Sequence, residues 1–148
     1  MRRRVSDHRA ARPSEWQTIE EPLRVVEHLQ ELPASTDGCL FDCLTLWTSN
    51  LIFSCPDDMN ETSVRRFVLE AVEALIAHQS ASGIPLIIVS NEVGAGIVPE
   101  YALGRLYRDL LGEANQLLGL AADRLYATVA GHYVELKALG ARPIPRSS

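Results

Sequence analysis

The residues best suited to covalent chemistry lie within the first twelve positions of the chain. In the run "DHRAAR", His8 follows Asp7 and precedes Arg9 and Arg12. A neutral imidazole can attack a nucleotide α-phosphate, while nearby guanidinium groups stabilise the charge that develops on the transferred group. Asp7 would orient the ring. The pattern therefore predicts either a nucleophile at His8 or, alternatively, a solvated polar face near the terminus.

A second candidate is the carboxylate that closes the apolar run "GCLFDC". Asp42 stands at the end of a predicted strand, and ligands of parallel α/β proteins bind at the carboxyl ends of strands. Such an aspartate either holds Mg²⁺ beside a nucleotide or caps the following helix. The loop "SNEVGAGIVPE" brings Asn91 and Glu92 to the next strand end. Its Gly94 and Gly96 suit close approach of a ligand and, equally, a tight turn.

The motif that normally accompanies an aspartate of this kind does not occur in the sequence. There is no GxxxxGK[ST] phosphate loop, and Lys137 is the single lysine, outside any suitable motif. A lysyl-nucleotide mechanism is therefore disfavoured. His28 on an amphipathic helix, His78 at a helix end and His132 in a turn have simpler structural interpretations. His8 is the histidine best placed to act as a nucleophile.

Alternating strands and helices are predicted to position these residues. Apolar runs predict strands at "GCLFDC" and "IPLIIVSN", and a hairpin or two sheet-edge strands at "RLYATVAG" and "HYVELK". Helical spacing predicts helices over 22–32, 45–53, 60–79 and 99–123. The order indicates an α/β fold with a mainly parallel sheet covered on both faces. The inward-facing side chains predicted for the two long helices are Phe67, Val68, Ala71, Leu75 and Ile76, then Leu103, Leu106, Tyr107, Leu110, Leu111, Ala114, Leu117, Leu118 and Ala121.

Composition limits the classes of partner. The 148 residues are 47% hydrophobic and 22% charged, which fits one globular α/β domain over 1–140 and a loose tail over 141–148. A net charge of -5 argues against a nucleic-acid-binding face. Cys39, Cys43 and Cys55 lack metal-site spacing and are predicted to be buried thiols. No apolar run is long enough to span a membrane and no signal peptide is present, so a cytoplasmic protein is expected.

Four segments taken together resemble one enzyme family. They are "HRAARPSEWQTIEEP", "LFDCLTLWTSNLI", "VSNEVGAGIVPEYALGRLYRDLLGEANQLLGLAAD" and "VAG", within a resemblance that runs from about residue 4 to 137. The chain is similar to the bifunctional adenosylcobinamide kinase / adenosylcobinamide-phosphate guanylyltransferases of cobalamin (vitamin B12) biosynthesis. The resemblance implies a RecA-like P-loop NTPase-type domain. It also implies phosphorylation of adenosylcobinamide by GTP or ATP, followed by GMP transfer from GTP to the product through a guanylyl-histidine.

The resemblance also implies roles for individual residues and partners. His8 becomes the guanylyl-histidine nucleophile, and Asp42 the carboxylate on the Mg²⁺ side, directly or through water. The implied partners are adenosylcobinamide, its phosphate and GTP, without nucleic acid, and the implied assembly is a homotrimer with a site completed across a subunit boundary. The implied nucleotide-binding residues are Arg9, Ala10, Ala11, Arg12, Glu20 and Asp42.

One departure from the family pattern leaves two interpretations open. Family chains begin with a strand and a glycine-rich loop of the GGxRSGKS kind, and this sequence starts after that point. We therefore expect an N-terminally truncated protein that is a poor kinase, either a fragment or the product of a misplaced start, because the remaining motifs look intact. The alternative is a non-catalytic remnant that folds or binds guanine nucleotide without turnover.

Overall fold

The computed structural model describes residues 12–144. Their strands and helices alternate as the sequence predicts, each within a few residues of its predicted limits. The mixed α/β class is therefore confirmed. In chain order the elements are α1 (Val25–Gln30), β1 (Cys39–Asp42), α2 (Leu44–Ser54), α3 (Glu61–Ala81), β2 (Leu86–Val89), a 3₁₀ turn (Val93–Ala95), α4 (Ala102–Ala121), β3 (Tyr126–Val129) and β4 (His132–Glu135).

Strands β1 and β2 form a parallel pair. Cys39 lies opposite Leu86, and Asp42 lies opposite Val89. Parallel strands require a crossover connection, which α2 and α3 supply. The side chain of Asn60 accepts a hydrogen bond from the Ser63 backbone N–H at 3.0 Å, which caps the start of α3. The register places the carboxyl ends of both strands at one edge of the sheet.

The last two strands form an antiparallel hairpin, one of the two arrangements predicted for them. Its turn uses Ala130 and Gly131, both with positive φ angles of 51° and 77°, as expected for a two-residue hairpin turn. Within residues 12–144 this hairpin forms a sheet separate from β1–β2. The prediction of a mainly parallel sheet is therefore correct only for the first pair of strands.

The core lies between the helices and one face of the parallel pair. Helix α3 packs on α4, α2 packs against both of them, and α1 packs against α3. Phe41, Leu86 and Ile88 extend this core from the strands. The fully or largely buried apolar side chains are Val25, Leu44, Trp47, Leu51, Ile52, Val64, Val68, Val72, Leu75, Leu110, Leu111 and Ala114.

Several burial predictions are wrong. Leu40, Ile87 and Val89 are exposed on the other face of β1–β2, with Ile87 at 66%, so the described residues cover only one face of this sheet. Alternating exposure is the pattern of a one-sided sheet. On the long helices Phe67, Leu103 and Ala121 are also exposed. Phe67 lies at the margin of its apolar stripe, whereas Leu103 and Ala121 lie at the two ends of α4.

The three cysteines are free thiols without a disulfide among them. Each is half-buried rather than fully buried, which corrects the prediction of buried side chains. Burial nevertheless raises the pKa of the Cys39 and Cys55 thiols. At neutral pH these two groups are therefore protonated and unreactive as nucleophiles. Helices within residues 12–144 are all too short or too polar to cross a bilayer.

Thr48 provides a stability prediction. Its side chain in α2 is completely buried, and its Oγ1 has no hydrogen-bond partner among the described residues. Burying an unpaired hydroxyl costs about 1–3 kcal/mol, whereas an apolar group of the same shape avoids this cost. We expect Thr48→Val to raise the free energy of unfolding by about 1 kcal/mol in chemical denaturation. Thr48→Ser, which keeps the hydroxyl and loses a methyl group, should lower it. A Thr48→Val protein less stable than wild type would contradict this account.

Glu135 fastens the hairpin to the end of α4 and predicts a pH-dependent stability. Its carboxylate accepts hydrogen bonds from the backbone N–H groups of Leu125 and Lys137, each at 3.1 Å, and of Ala138 at 2.5 Å. The Leu125 bond is the largest cause of a lowered pKa at Glu135. A carboxyl group with a lowered folded-state pKa stabilises the fold above its unfolded pKa, and this is lost as pH falls through the folded value.

We therefore expect Glu135→Gln to lower the melting temperature by several degrees at pH 7. The difference from wild type should narrow as pH falls below about 4.3, the ordinary pKa of a glutamate. Glu73→Gln, an exposed substitution on α3, is the matched control and should leave the melting temperature nearly unchanged. Melting curves between pH 7 and pH 3 test this. A difference that stays constant over that range would rule out the carboxylate as its cause.

Candidate functional site

The segment before α1 forms an open surface depression. The Trp16 backbone N–H donates to the Pro13 carbonyl at 3.1 Å, which makes a turn, and the Arg12 guanidinium donates to Thr18 Oγ1 at 2.8 Å. The segment thereby folds back and brings two of the sequence-predicted nucleotide residues, Arg12 and Glu20, to one concave surface. The depression is lined by Arg12, Pro13, Ser14, Trp16, Thr18 and Glu20.

Helix α2 anchors the end of this segment. Trp47 Nε1 donates to the Leu23 carbonyl at 2.8 Å, and Asn50 Nδ2 donates to the Pro22 carbonyl at 3.1 Å. Trp47 is only 3% exposed, so its bond holds the chain against the core. The side chain of Glu21 accepts from the Arg24 and Leu23 backbone N–H groups, both at 2.8 Å. These bonds lower the pKa of Glu21, and the bond from the Arg24 N–H has the larger effect. The carboxylate therefore stays ionised at neutral pH.

The same helix contacts the strand that carries Asp42. Phe41, the preceding residue, packs edge-to-face on Trp47 with ring centroids 5.6 Å apart. Asp42 is the last residue of β1 and is exposed. Its alternative interpretation as a helix cap is wrong, because α2 has Cys43 at its N-cap position and no side-chain capping bond. Asp42 does not line the depression of Arg12 and Glu20, so the structure places it at a separate point, the carboxyl edge of the sheet.

The surroundings of Asp42 allow one way of holding a metal ion. Among residues 12–144 there is no cluster of three histidine, cysteine or acidic side chains that could bind a metal on its own. Mg²⁺ is commonly held by one or two carboxylates together with substrate phosphates and water. A single exposed carboxylate at a strand end fits that mode. Asp42 is therefore suited to contribute to a Mg²⁺ site together with a bound nucleotide.

A polar network connects the two strand ends. Asn115 Oδ1 on α4 accepts from Ser90 Oγ at 2.6 Å, and Asn115 Nδ2 donates to the Asn91 carbonyl at 3.1 Å and to Glu92 Oε1 at 3.3 Å. Asn91 Nδ2 donates to Thr45 Oγ1 at 3.0 Å. The sequence indicated Asn91 and Glu92 at this edge, and the structure places them there. Asn115 and Thr45 were missed, because their partners are 24 and 46 residues away.

Tyr107 adds a second contact between α4 and the start of α2. Its hydroxyl group donates to the Thr45 carbonyl at 3.3 Å. Burial is the main reason that the pKa of Tyr107 is raised, with a smaller contribution from Cys43. The hydroxyl therefore remains protonated at neutral pH and can keep this bond. Thr45 is held from α4 through its carbonyl and from the loop after β2 through its side chain.

The remaining candidates for covalent chemistry have structural contacts. His28 Nδ1 lies 3.1 Å from the Arg24 carbonyl, and His132 Nδ1 lies 3.0 Å from the Ala130 carbonyl. His78 lies in the last turn of α3. The Lys137 ammonium group donates to the Ala122 carbonyl, far along the chain from the candidate site.

His8, Arg9, Ala10 and Ala11 lie outside the described residues, so their predicted roles stay predictions.

Comparison with known proteins gives the chain its family. Residues 1–136 match the family described as cobinamide kinase / cobinamide phosphate guanyltransferase. The chain belongs to this family. It is 38% identical over 137 residues to the bifunctional adenosylcobalamin biosynthesis protein CobP of Pseudomonas aeruginosa, which covers 93% of this chain and 75% of the relative. Identity to the protein CobU of Salmonella typhimurium is 34% over 146 residues, covering 93% and 78%.

Family membership confirms the resemblance drawn from the sequence motifs. This cobinamide kinase / cobinamide phosphate guanyltransferase is a transferase of adenosylcobalamin biosynthesis with cobinamide and nucleotide substrates, and its family has a P-loop NTPase fold. The described elements agree with an α/β protein of this kind, since a parallel strand pair carries polar residues at its carboxyl edge.

Proposed function

We propose that this chain transfers GMP from GTP to adenosylcobinamide phosphate through a covalent guanylyl-histidine at His8. The observation that supports the proposal most directly is the depression shared by Arg12 and Glu20, four and twelve residues after His8. Four residues span at most about 14 Å when fully extended. Covalent geometry therefore limits how far the backbone of His8 can lie from that of Arg12, whose guanidinium group is suited to nucleotide phosphates.

The proposed reaction has two displacements at the α-phosphorus. In the first, a ring nitrogen of neutral His8 forms a bond to the α-phosphorus of GTP, the bond to the bridging oxygen breaks, and pyrophosphate leaves. In the second, a phosphate oxygen of adenosylcobinamide phosphate attacks the same phosphorus, the nitrogen–phosphorus bond breaks, and His8 is regenerated. Arg9 and Arg12 stabilise the charge on the transferred group, and Ala10 and Ala11 let the nucleotide approach the backbone.

Asp42 would hold Mg²⁺ together with phosphate oxygens of the nucleotide, directly or through water. The bound ion supplies positive charge that stabilises the departing pyrophosphate. The exposed position of Asp42 at the carboxyl edge of β1 supports this role, and its carboxylate makes no hydrogen bond or ion pair within residues 12–144. Glu20 would contact the nucleotide from the depression.

The wider organisation that we propose follows the family resemblance. Residues 1–140 form a single RecA-like nucleotide-binding domain, 141–148 form a loose tail, and three copies associate with a site completed across a subunit boundary. Light scattering on the purified protein tests the trimer. Three free cysteines fit a reducing compartment, which supports a cytoplasmic location.

The transfer mechanism can be tested by labelling GTP at one phosphate or another and then adding the acceptor to remove the label. Protein incubated with Mg²⁺ and GTP labelled at the α-phosphate should acquire label that is stable in base and released by acid, as a phosphoramidate is. Adenosylcobinamide phosphate should then remove the label and yield labelled adenosylcobinamide-GDP. GTP labelled at the γ-phosphate is the matched control and should leave the protein unlabelled. Label from the γ-phosphate alone, or label that the acceptor cannot remove, would contradict guanylyl transfer.

A further inference from the structure

Asn115 is the side chain that holds the carboxyl end of β2 in place. It lies in the middle of α4, and its amide group contacts three consecutive residues. It accepts from Ser90 Oγ and donates both to the Asn91 carbonyl and to the Glu92 carboxylate. An asparagine amide has an acceptor oxygen and two donor hydrogens. The oxygen accepts one bond here and both donor hydrogens have partners.

The contacts continue from β2 to the strand that carries Asp42. Asn91 Nδ2 donates to Thr45 Oγ1 at 3.0 Å. Thr45 lies in the first turn of α2, three residues after Asp42, and Asp42 lies opposite Val89 in the parallel register. A short series of hydrogen bonds therefore runs from Asn115 through Asn91 to the backbone that orients the Asp42 carboxylate.

The network contributes more to geometry than to stability. Ser90, Asn91 and Glu92 are exposed, and hydrogen bonds between groups that water can reach add little net stability. A displacement of about 1 Å at a site of group transfer, by contrast, can lower the rate about 100-fold. Loss of the network should therefore disturb the position of a ligand at the strand ends, while the free energy of unfolding changes little.

We propose that Asn115 is a positioning residue that, through Asn91 and Thr45, sets the location of the Asp42 carboxylate for Mg²⁺-dependent nucleotide binding. This inference rests on the role proposed for Asp42. Within the described residues the network is the side-chain connection between the loop after β2 and the start of α2. In the proposed role, neither Asn115 nor Thr45 contacts the nucleotide. Both act by holding the backbone on either side of the metal position.

The substitution Asn115→Asp tests the inference with almost no change in shape. It keeps the acceptor for Ser90 but replaces the donor with a carboxylate oxygen, which faces the Asn91 carbonyl and the Glu92 carboxylate and is repelled by both. We expect the Mg²⁺ concentration that gives half-maximal binding of a fluorescent GTP analogue to rise about tenfold. Thr45→Val, which removes the other end of the series, should shift it in the same direction.

A compensating substitution separates positioning from general damage. In the double variant Asn115→Asp with Glu92→Gln, the new amide can donate to the new carboxylate, which removes the repulsion from residue 92 but leaves that from the Asn91 carbonyl, so the Mg²⁺ midpoint should return part of the way to the wild-type value. Arg65→Gln removes the ion pair that joins α3 to α4 through Glu113 and is the stability control. It should lower the melting temperature and leave the Mg²⁺ midpoint unchanged.

The results that would overturn the role of Asn115 differ from the results that would overturn the guanylyl-histidine. An unchanged Mg²⁺ midpoint in Asn115→Asp, wild-type binding that is indifferent to Mg²⁺, or no recovery in the double variant would overturn the inference even if the protein forms the guanylyl adduct. A protein that forms no adduct but binds the analogue with the expected midpoints would refute the guanylyl-histidine while supporting the role of Asn115.

Discussion

Replacing His8 with alanine is expected to abolish formation of the covalent guanylyl adduct. The nitrogen that would form the bond to the α-phosphorus is then missing, and alanine offers no substitute. Deleting a covalent nucleophile typically lowers the rate by on the order of 10³-fold or more, which brings the labelling to background. The measurement is the amount of acid-labile, base-stable label retained after incubation with Mg²⁺ and α-labelled GTP.

Two comparisons make this result specific. His132→Ala removes an exposed histidine at the start of β4 and should label as well as wild type. Binding of a fluorescent GTP analogue by His8→Ala should persist within a few fold, because the arginines proposed to contact the phosphates remain. Equal labelling of wild type and His8→Ala would show that the nucleophile is a different residue. Loss of analogue binding in parallel with labelling would assign His8 to nucleotide binding rather than to covalent chemistry.

Replacing Asp42 with asparagine is expected to lower the rate of adduct formation about 100-fold at a fixed Mg²⁺ concentration, the effect of losing one charge-stabilising group from a transfer site. The neutral amide is a poor ligand for a hard cation, so higher Mg²⁺ should restore part of the rate. Stability should change little, since the Asp42 side chain is exposed and its carboxylate makes no hydrogen bond with residues 12–144. Adduct formation rates measured across a Mg²⁺ titration test the prediction.

The matched control for this substitution lies at the other end of the same strand. Asp37 is also exposed and precedes β1 by two residues, so Asp37→Asn makes the same chemical change at the amino edge of the sheet. It should leave both the rate and its Mg²⁺ dependence unchanged. If the two variants behave alike, net charge rather than a metal position explains the effect. An Asp42→Asn protein with the wild-type Mg²⁺ dependence would exclude this carboxylate from the metal site.

The sequence was sufficient to predict most of the described architecture. The period of apolar residues identified β1, β2 and the long helices, because each element buries one side against a common core. It did not predict which sheet face is covered. A run such as "LIIV" is equally apolar on both faces, and its alternating exposure depends on neighbours that are distant in the chain. Leu40 and Ile87 were assigned to the interior for this reason.

In the site, too, residues in local sequence patterns could be predicted, whereas residues brought together by tertiary packing could not. Asp42 was identified because an acidic residue directly after an apolar run is a local pattern, and the family motifs gave His8, Arg12 and Glu20 their expected roles. Asn115 has no such pattern. It occupies one polar position on an amphipathic helix, and only the packing of α4 against the strand ends brings its amide to the residues that follow β2.

The two tryptophans of the chain stand in opposite environments, and this gives the protein two built-in optical probes. Trp16 is 52% exposed and lines the depression of Arg12 and Glu20. Trp47 is 3% exposed and packs in the core, where it contacts Leu23 and Phe41. A soluble quencher such as acrylamide should reach the indole of Trp16 and leave the blue-shifted emission of Trp47. Occupancy of the depression and integrity of the fold can therefore be followed separately, by ordinary fluorescence, in one unlabelled sample.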